Sequence, residues 1–136
     1  MIRKHFKNVL LVAPDVFPNQ LLAGHKNIKH ITALSSIFPS LNELKPDLII
    51  FDYDYTGDGI EKVIRRIKIN NFYSKLKICC YKSGPNEKTD SLLKALGVDH
   101  LVYREDLVKA HKNKTILNLS AIFDTSIFKW VADVSH

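Results

Sequence analysis

The chain has 136 residues, of which 46% are hydrophobic, and a formal net charge of +6 at pH 7. This length fits one domain that buries about two-thirds of its unfolded surface. No apolar run is long enough to cross a membrane, and the apolar stretch after the basic N-terminus is too short for a secretory signal. The basic residues are scattered and are not interleaved with aromatic residues, so nucleic-acid binding is not expected.

The two cysteines, Cys79 and Cys80, are adjacent in the sequence. A disulfide between neighbouring residues is strained, and neither cysteine has another partner in the chain. No cysteine or histidine spacing indicates a metal site. The sequence therefore predicts a protein of a reducing compartment, and we expect it in the cytoplasm.

Apolar runs and helical periodicities alternate along the chain. Short apolar runs predict β-strands at 9–12, 28–34, 48–51, 76–81 and 100–103. Apolar residues at helical spacing predict helices near 18–24, 35–44, 60–67 and 89–96, and another from 104 onward. This alternation predicts an α/β fold with a doubly wound, five-stranded parallel sheet and helices on both faces.

The stretch 47–59 is the most informative, because four apolar residues run directly into Asp52. A continuous apolar run fits a strand buried on both faces of a parallel sheet. The carboxyl ends of such strands usually carry the ligand site, which places Asp52 at the edge where a site is expected. The following Gly57-Asp58-Gly59 predicts a turn, with Asp58 as the N-cap residue of the next helix.

The order of these elements and the residues at the strand ends resemble a response-regulator receiver domain over about residues 8–112. The resemblance is carried by Pro-Asp-Leu-Ile-Ile-Phe-Asp at 46–52 with Asp58-Gly59 behind it, and by Leu-Gly-Val-Asp-His-Leu-Val at 96–102. It implies the flavodoxin-like strand order 2-1-3-4-5 and Asp52 as the phosphoacceptor, with Mg²⁺ as cofactor and a histidine kinase as phosphoryl donor. We expect one receiver-like domain over 1–136, with 113–136 as a helical extension.

Three positions depart from the pattern of that family. Ala13-Pro14 stands where the family has an acidic pair, and the nearest carboxylate is Asp15. The family has Thr or Ser at the end of strand four, where Ser83 is the nearest such residue. Arg104, followed by glutamate, takes the place of a lysine followed by proline after strand five.

These departures remove charge from the implied site. Mg²⁺ needs carboxylate oxygens, and the candidate ligands are Asp15, Asp52 and Asp54. Phosphoryl transfer depends on electrostatic stabilisation by metal and lysine, and an arginine fork does not replace a lysine point charge without rearrangement. We therefore expect phosphorylation of Asp52 to be weak or absent. A phosphorylation-competent, single-domain response regulator is the alternative within the same family.

A second alternative is an enzyme. Asp52-Tyr53-Asp54-Tyr55-Thr56 also resembles the first motif of haloacid-dehalogenase-like phosphatases, which implies Mg²⁺, Asp52 as nucleophile and Asp54 as general acid/base. In that family this strand comes first, whereas two strand–helix units precede it here. The tyrosines Tyr53, Tyr55 and Tyr81 either close over a pocket at Asp52 or pack at the edge of the sheet.

We expect no output domain, and a receiver of this kind would act through its surface. We expect a protein partner, either a histidine kinase or a downstream signalling protein, to bind at about residues 86–112 or at the tail. Apolar residues recur in the tail at helical spacing and predict a helix with a break near 124–126. This tail either packs on the chain's own sheet or forms a homodimer surface.

Overall fold

The structure, a computed structural model, describes residues 6–114 and 117–123. Five strands form one sheet, namely β1 Val9–Val12, β2 Ile28–Ile31, β3 Leu48–Asp52, β4 Lys77–Lys82 and β5 His100–Tyr103. All neighbouring strands are parallel, and their order is β2-β1-β3-β4-β5. The predicted doubly wound parallel sheet with the order 2-1-3-4-5 is therefore confirmed.

The described α-helices are α1 Asn19–Leu22, α2 Ile37–Leu44, α3 Tyr53–Thr56, α4 Ile60–Ile69, α5 Glu87–Leu96, α6 Arg104–Lys112 and α7 Leu119–Ile122. Short 3-10 turns precede α2 and α4 and follow α4. None of the described helices has the length and apolar character needed to cross a membrane.

The helices cover both faces of the sheet. Leu21 of α1, Leu107 of α6 and Leu119 of α7 pack on one face, which we call the α1/α6 face. On the other face, which we call the α4/α5 face, Leu41 of α2 packs together with apolar residues of α4 and α5. Because both faces are covered, β1 is apolar throughout and β3 is apolar at every position before Asp52, which explains their continuous apolar runs.

The entry into α4 differs from the prediction for Asp58. Asp58 lies inside a 3-10 turn, and the N-cap position belongs to Gly59, which makes no side-chain cap. The reason is that the chain is already helical at Thr56 and again at Gly59, so the helix needs no extended capping residue. The capping side chain in this region is that of Asp52, at the start of α3.

The first part of the tail packs on the chain's own sheet. Leu119 and Ile122 are buried in the α1/α6 face. The Asn118 side chain caps α7 by accepting from the Ala121 N–H, and its amide donates to the Ala23 carbonyl over 3.4 Å. The predicted break near 124–126 lies outside the described residues, as does the larger part of the tail 113–136 that was predicted as a possible homodimer surface.

Candidate functional site

Asp52 is the last residue of β3 and stands at the carboxyl edge of the sheet. Its side chain is buried, with 8% of the residue exposed. One carboxylate oxygen accepts a hydrogen bond from the Tyr55 N–H at 3.2 Å, and the Thr56 hydroxyl donates to the Asp52 carbonyl at 3.0 Å. The apolar run of β3 thus delivers a carboxylate to the edge, and the first turn of α3 holds it there.

The pKa of Asp52 is raised above its ordinary value. Burial is the main cause, and the negative charge of Asp54 adds to it. The N–H of Tyr55 and the positive charge of Arg104 act in the opposite direction without cancelling the rise in pKa. Burial therefore disfavours the charged carboxylate more than its neighbours stabilise it.

The three candidate metal ligands do not form one cluster. Asp15 is exposed in the loop after β1, whereas the Asp54 carboxylate accepts a hydrogen bond from the Ser83 N–H at 2.8 Å. Within the described residues, no group of three or more Asp, Glu, His or Cys side chains is placed to hold a metal ion. Mg²⁺ favours near-octahedral oxygen ligation, and this donor set does not offer it a preformed carboxylate cluster.

The end of β4 is occupied by Lys82, not by Ser83. Lys82 is buried and forms an ion pair with Asp90 of α5. Asp90 also accepts hydrogen bonds from the Tyr103 hydroxyl at 2.5 Å and from the Asn86 N–H at 3.2 Å. Sequence reasoning missed this cluster, although a lysine at the end of an apolar strand was a signal that it needed a buried partner.

The shifts in pKa within this cluster agree with a charged pair. Burial alone would raise the pKa of Asp90, but hydrogen bonds from Lys82, Tyr103 and the Asn86 N–H hold it below its usual value. Burial and the hydrogen bond to Asp90 raise the pKa of Tyr103 to about 12, so its hydroxyl stays protonated and donates. The Lys82 ammonium also lies 5.4 Å from the centre of the Tyr53 ring, within reach of a cation–π contact.

Lys82 and Asp52 serve opposite faces of the sheet. Tyr81, directly before Lys82, packs on the α1/α6 face, so alternation along β4 directs Lys82 to the α4/α5 face. The preceding residue of β3, Phe51, packs on the α4/α5 face, so the same alternation places Asp52 on the α1/α6 face. The buried lysine is therefore committed to Asp90 and does not replace a lysine beside Asp52.

Asp52 instead borders a cleft of about 790 Å³ on the α1/α6 face. Tyr81 lines this cleft and packs edge-on against Phe17, with the ring centres 5.3 Å apart. Arg104 lines the same cleft from the start of α6. Of the three tyrosines considered from the sequence, Tyr81 thus lines the space beside Asp52, whereas Tyr55 is half exposed.

Comparisons with known proteins found likeness in structure only. No protein-family model and no curated protein matches the sequence. The signal receiver domain of a DNA-binding response regulator from Colwellia psychrerythraea 34H superposes with a TM-score of 0.60 at 18% identity, covering 78% of this chain and 95% of that one. A response regulator from Thermotoga maritima superposes with a TM-score of 0.60 at 16% identity, and the match covers 82% of this chain and 98% of that one. The Mn(2+)-bound form of the response regulator Rcp1 superposes with a TM-score of 0.57 at 17% identity, and the match covers 78% of this chain and 90% of that one.

These structures establish the class of fold. The chain has the fold of response-regulator receiver domains, as its strand order and the position of Asp52 at the end of β3 indicated.

Proposed function

We propose that the chain is an atypical receiver domain that acts by protein–protein contact in two-component signalling. The receiver fold supports this class of function, and the surroundings of Asp52 support the atypical character. The observation that carries the proposal is that Asp52 closes β3 at the carboxyl edge of the sheet, while Asp15 and Asp54 do not join it in one cluster. Phosphorylation of Asp52 is accordingly weak or absent.

The proposal includes a weak or missing requirement for Mg²⁺. One structure of the same fold is described as Mn(2+)-bound, so a divalent cation is a reasonable expectation for a receiver. In this chain the carboxylate of Asp54 is engaged by the Ser83 N–H, and Asp15 is exposed in its loop. To gain a second carboxylate ligand, a cation at Asp52 would have to break the hydrogen bond between Asp54 and Ser83 or draw the loop of Asp15 inward. Either movement costs free energy and reduces the affinity of the site for the cation.

The place of the family's lysine also argues for weak phosphoryl chemistry. Arg104 is exposed at the start of α6, and its charge lowers the pKa of Asp52 less than burial raises it. A guanidinium presents a planar fork of donors, whereas a lysine presents a compact charge that fits a single developing oxyanion. The stabilisation of transferring charge, on which phosphoryl transfer depends, is therefore reduced.

The partner in this proposal is a protein, either a histidine kinase or a downstream signalling protein. The surface formed by α5, β5 and α6 is the candidate for contact, and a homodimer through the tail, about residues 113–136, is a second arrangement. A cytoplasmic location belongs to the same proposal. It is supported by Cys79 and Cys80, whose thiols are free and buried, as expected in a reducing compartment.

The competing enzyme hypothesis assigns the role of general acid/base to Asp54. That role requires a carboxyl group free to pass a proton to a leaving group beside Asp52. The Asp54 carboxylate instead accepts a hydrogen bond from the Ser83 N–H at 2.8 Å, which ties it to the end of β4. We therefore propose that the chain is not a phosphatase.

The weak phosphorylation is tested by incubation with acetyl phosphate and Mg²⁺, followed by intact-mass measurement. We expect at most a small fraction of the chain to gain one phosphoryl group. Asp52→Asn is the site variant, and Asp58→Asn, in the exposed turn before α4, is the matched control. A stoichiometric adduct that is lost in Asp52→Asn and kept in Asp58→Asn would overturn the atypical assignment in favour of a competent regulator.

The phosphatase hypothesis has its own assay. Metal-dependent turnover of p-nitrophenyl phosphate should be absent for the native chain. Turnover that Asp54→Asn abolishes, with the fold intact by circular dichroism, would support the enzyme instead.

A further inference from the structure

The cleft beside Asp52 is bounded by two segments of the chain. The loop between β1 and α1 contributes Pro14, Val16 and Pro18 to its lining, and α6 contributes Arg104 and Val108. The helix α1 that follows the loop has only four residues. The cleft lies beside this short helix, because Gln20 of α1 also lines it.

Apolar groups dominate the walls of the cleft. Phe17, Tyr81 and Leu107 are buried within the α1/α6 face and contribute to its floor. At the rim, Val16 is exposed, and Val108 is 52% exposed. Exposing these two apolar side chains to water costs free energy, and a bound apolar group would remove that cost.

The charges of the cleft are unequal in sign and position. Arg104 and Lys112, at the two ends of α6, line the cleft and are exposed, so both contribute accessible positive charge. Neither side chain forms an ion pair or hydrogen bond within residues 6–114 and 117–123. The only carboxylate among the described lining residues is that of Asp52, which is buried at the edge of the sheet. The accessible charge of the cleft is therefore cationic.

From this arrangement we propose that the cleft is a binding site for a small amphipathic carboxylate. The apolar body of such a ligand would lie between Val16 and Val108 on the Phe17–Tyr81 floor, and its carboxylate would pair with Arg104. A volume of about 790 Å³ lies within the range of known small-molecule sites. Arginine is suited to this role because its fork of donors matches the two oxygens of a carboxylate.

The same features disfavour other occupants. A cationic amphiphile would gain the apolar contacts but would be repelled by the positive charges of Arg104 and Lys112. A small inorganic anion would pair with arginine but would leave the apolar walls in water. The proposal concerns binding alone and does not depend on phosphorylation of Asp52, so its failure would leave the proposed signalling role untouched.

The test uses decanoate as the probe and decyltrimethylammonium as a matched cation of the same chain length. Binding is followed by ¹H–¹⁵N NMR titration of the full chain up to about 1 mM, the weak end of specific binding. We expect saturable shifts that are largest for amides around the β1–α1 loop and α6. We also expect decanoate to bind at least about 10-fold more tightly than the cation, because a charge-assisted pair is formed in one case and opposed in the other.

Two variants and one control separate the apolar and the charged parts of the site. Val108→Asp should weaken decanoate binding at least about 10-fold, since it places a carboxylate on the apolar wall. Ile69→Asp is the matched control, because Ile69 is 81% exposed at the end of α4 and does not line the cleft. Arg104→Gln should remove most of the preference for decanoate over the cation while retaining the apolar contacts.

The outcomes decide the proposal in each case. No saturable shift with decanoate would overturn it, as would shifts that map outside the cleft. Equal binding of decanoate and decyltrimethylammonium, or an unchanged preference in Arg104→Gln, would overturn the assignment of a carboxylate ligand. The Arg104→Gln variant changes an exposed side chain, so it remains informative even where Val108→Asp fails to fold.

Discussion

Replacing Lys82 by methionine removes the charge that pairs with Asp90 and keeps most of the length of the side chain. The two side chains of this ion pair are 5% and 11% exposed, so little water is available to replace the lost ammonium. In the variant, Asp90 retains hydrogen bonds from Tyr103 and from the Asn86 N–H but has no cation beside it.

The size of the effect follows from burial. Removing one partner of a buried ion pair costs about 3–5 kcal/mol, because the other charge is left uncompensated. The two remaining hydrogen bonds to Asp90 place Lys82→Met at the lower end of that range, about 3 kcal/mol. The free energy of unfolding of a domain this size is about 5–15 kcal/mol, so this loss is a large part of it. The melting temperature should fall by about 10 °C.

The effect of pH has a definite sign. The pKa of Asp90 is lowered in the folded chain, so the stability that the pair contributes is present above the ordinary pKa of aspartate, about 3.9. It is lost as the pH falls through the lowered pKa of the folded state. The difference between wild type and Lys82→Met should therefore be greatest near neutral pH and should narrow below about pH 4, where the unpaired Asp90 can be protonated.

The assay is urea unfolding, monitored by circular dichroism, at neutral and at acidic pH. Lys109→Met is the control, because Lys109 forms an exposed ion pair with Glu105 at 3.0 Å. Exposed pairs of this kind contribute little, and we expect no measurable change in its midpoint. A Lys82→Met variant that unfolds at the same urea concentration as Lys109→Met, or whose loss of stability is independent of pH, would contradict this prediction.

Three further predictions test other parts of the structure. Asp52→Asn should raise the urea midpoint at neutral pH, because the raised pKa of Asp52 means that the charged carboxylate opposes folding. This gain in stability should vanish at acidic pH, and a loss of stability at neutral pH would contradict the prediction. The thiols of Cys79 and Cys80 should resist Ellman's reagent in the native chain at about pH 8 and react after unfolding, since burial raises the pKa of Cys80 to about 12; rapid native-state reaction would contradict it. Gly97→Ala should lower the free energy of unfolding by about 1–2 kcal/mol, because Gly97 has φ +113° at the end of α5. A Cβ at this position would also lie 2.5 Å from Lys68 Cε. An unchanged urea midpoint would contradict the prediction.

The fold and the position of Asp52 could be predicted because their causes are local. Apolar runs broken by turns and helical spacings between them specify strands and helices in order, and the parallel sheet follows from that alternation. Asp52 closes the central run, so its place at the carboxyl edge required no knowledge of distant residues.

The Lys82 cluster could not be predicted in the same way. Lys82, Asp90 and Tyr103 come from β4, α5 and β5, and their contact depends on how α5 lies across the sheet. The sequence pattern directed attention to Ser83, because a serine was expected at the end of strand four. The lysine was the better signal, since a charged residue in a buried strand requires a partner.

The cleft likewise depends on more than its own residues. Its loop and α6 are separated by more than eighty positions in the sequence, and they follow β1 and β5, which the sheet order places on either side of β3 and β4. The short α1 was visible from Pro18 and Gly24, but the cleft beside it was not.

The central claim is that Asp52 does not control this domain through a phosphoryl group. Beryllofluoride with Mg²⁺, which mimics that group on an aspartate, tests the claim by ¹H–¹⁵N NMR on the native chain and on Asp52→Asn. We expect no saturable shifts at the amides of Asp52, Lys82 or Tyr103, with a competent receiver domain as the positive control. Saturable shifts that spread from Asp52 to the ends of β4 and β5, and that disappear in Asp52→Asn, would contradict the account.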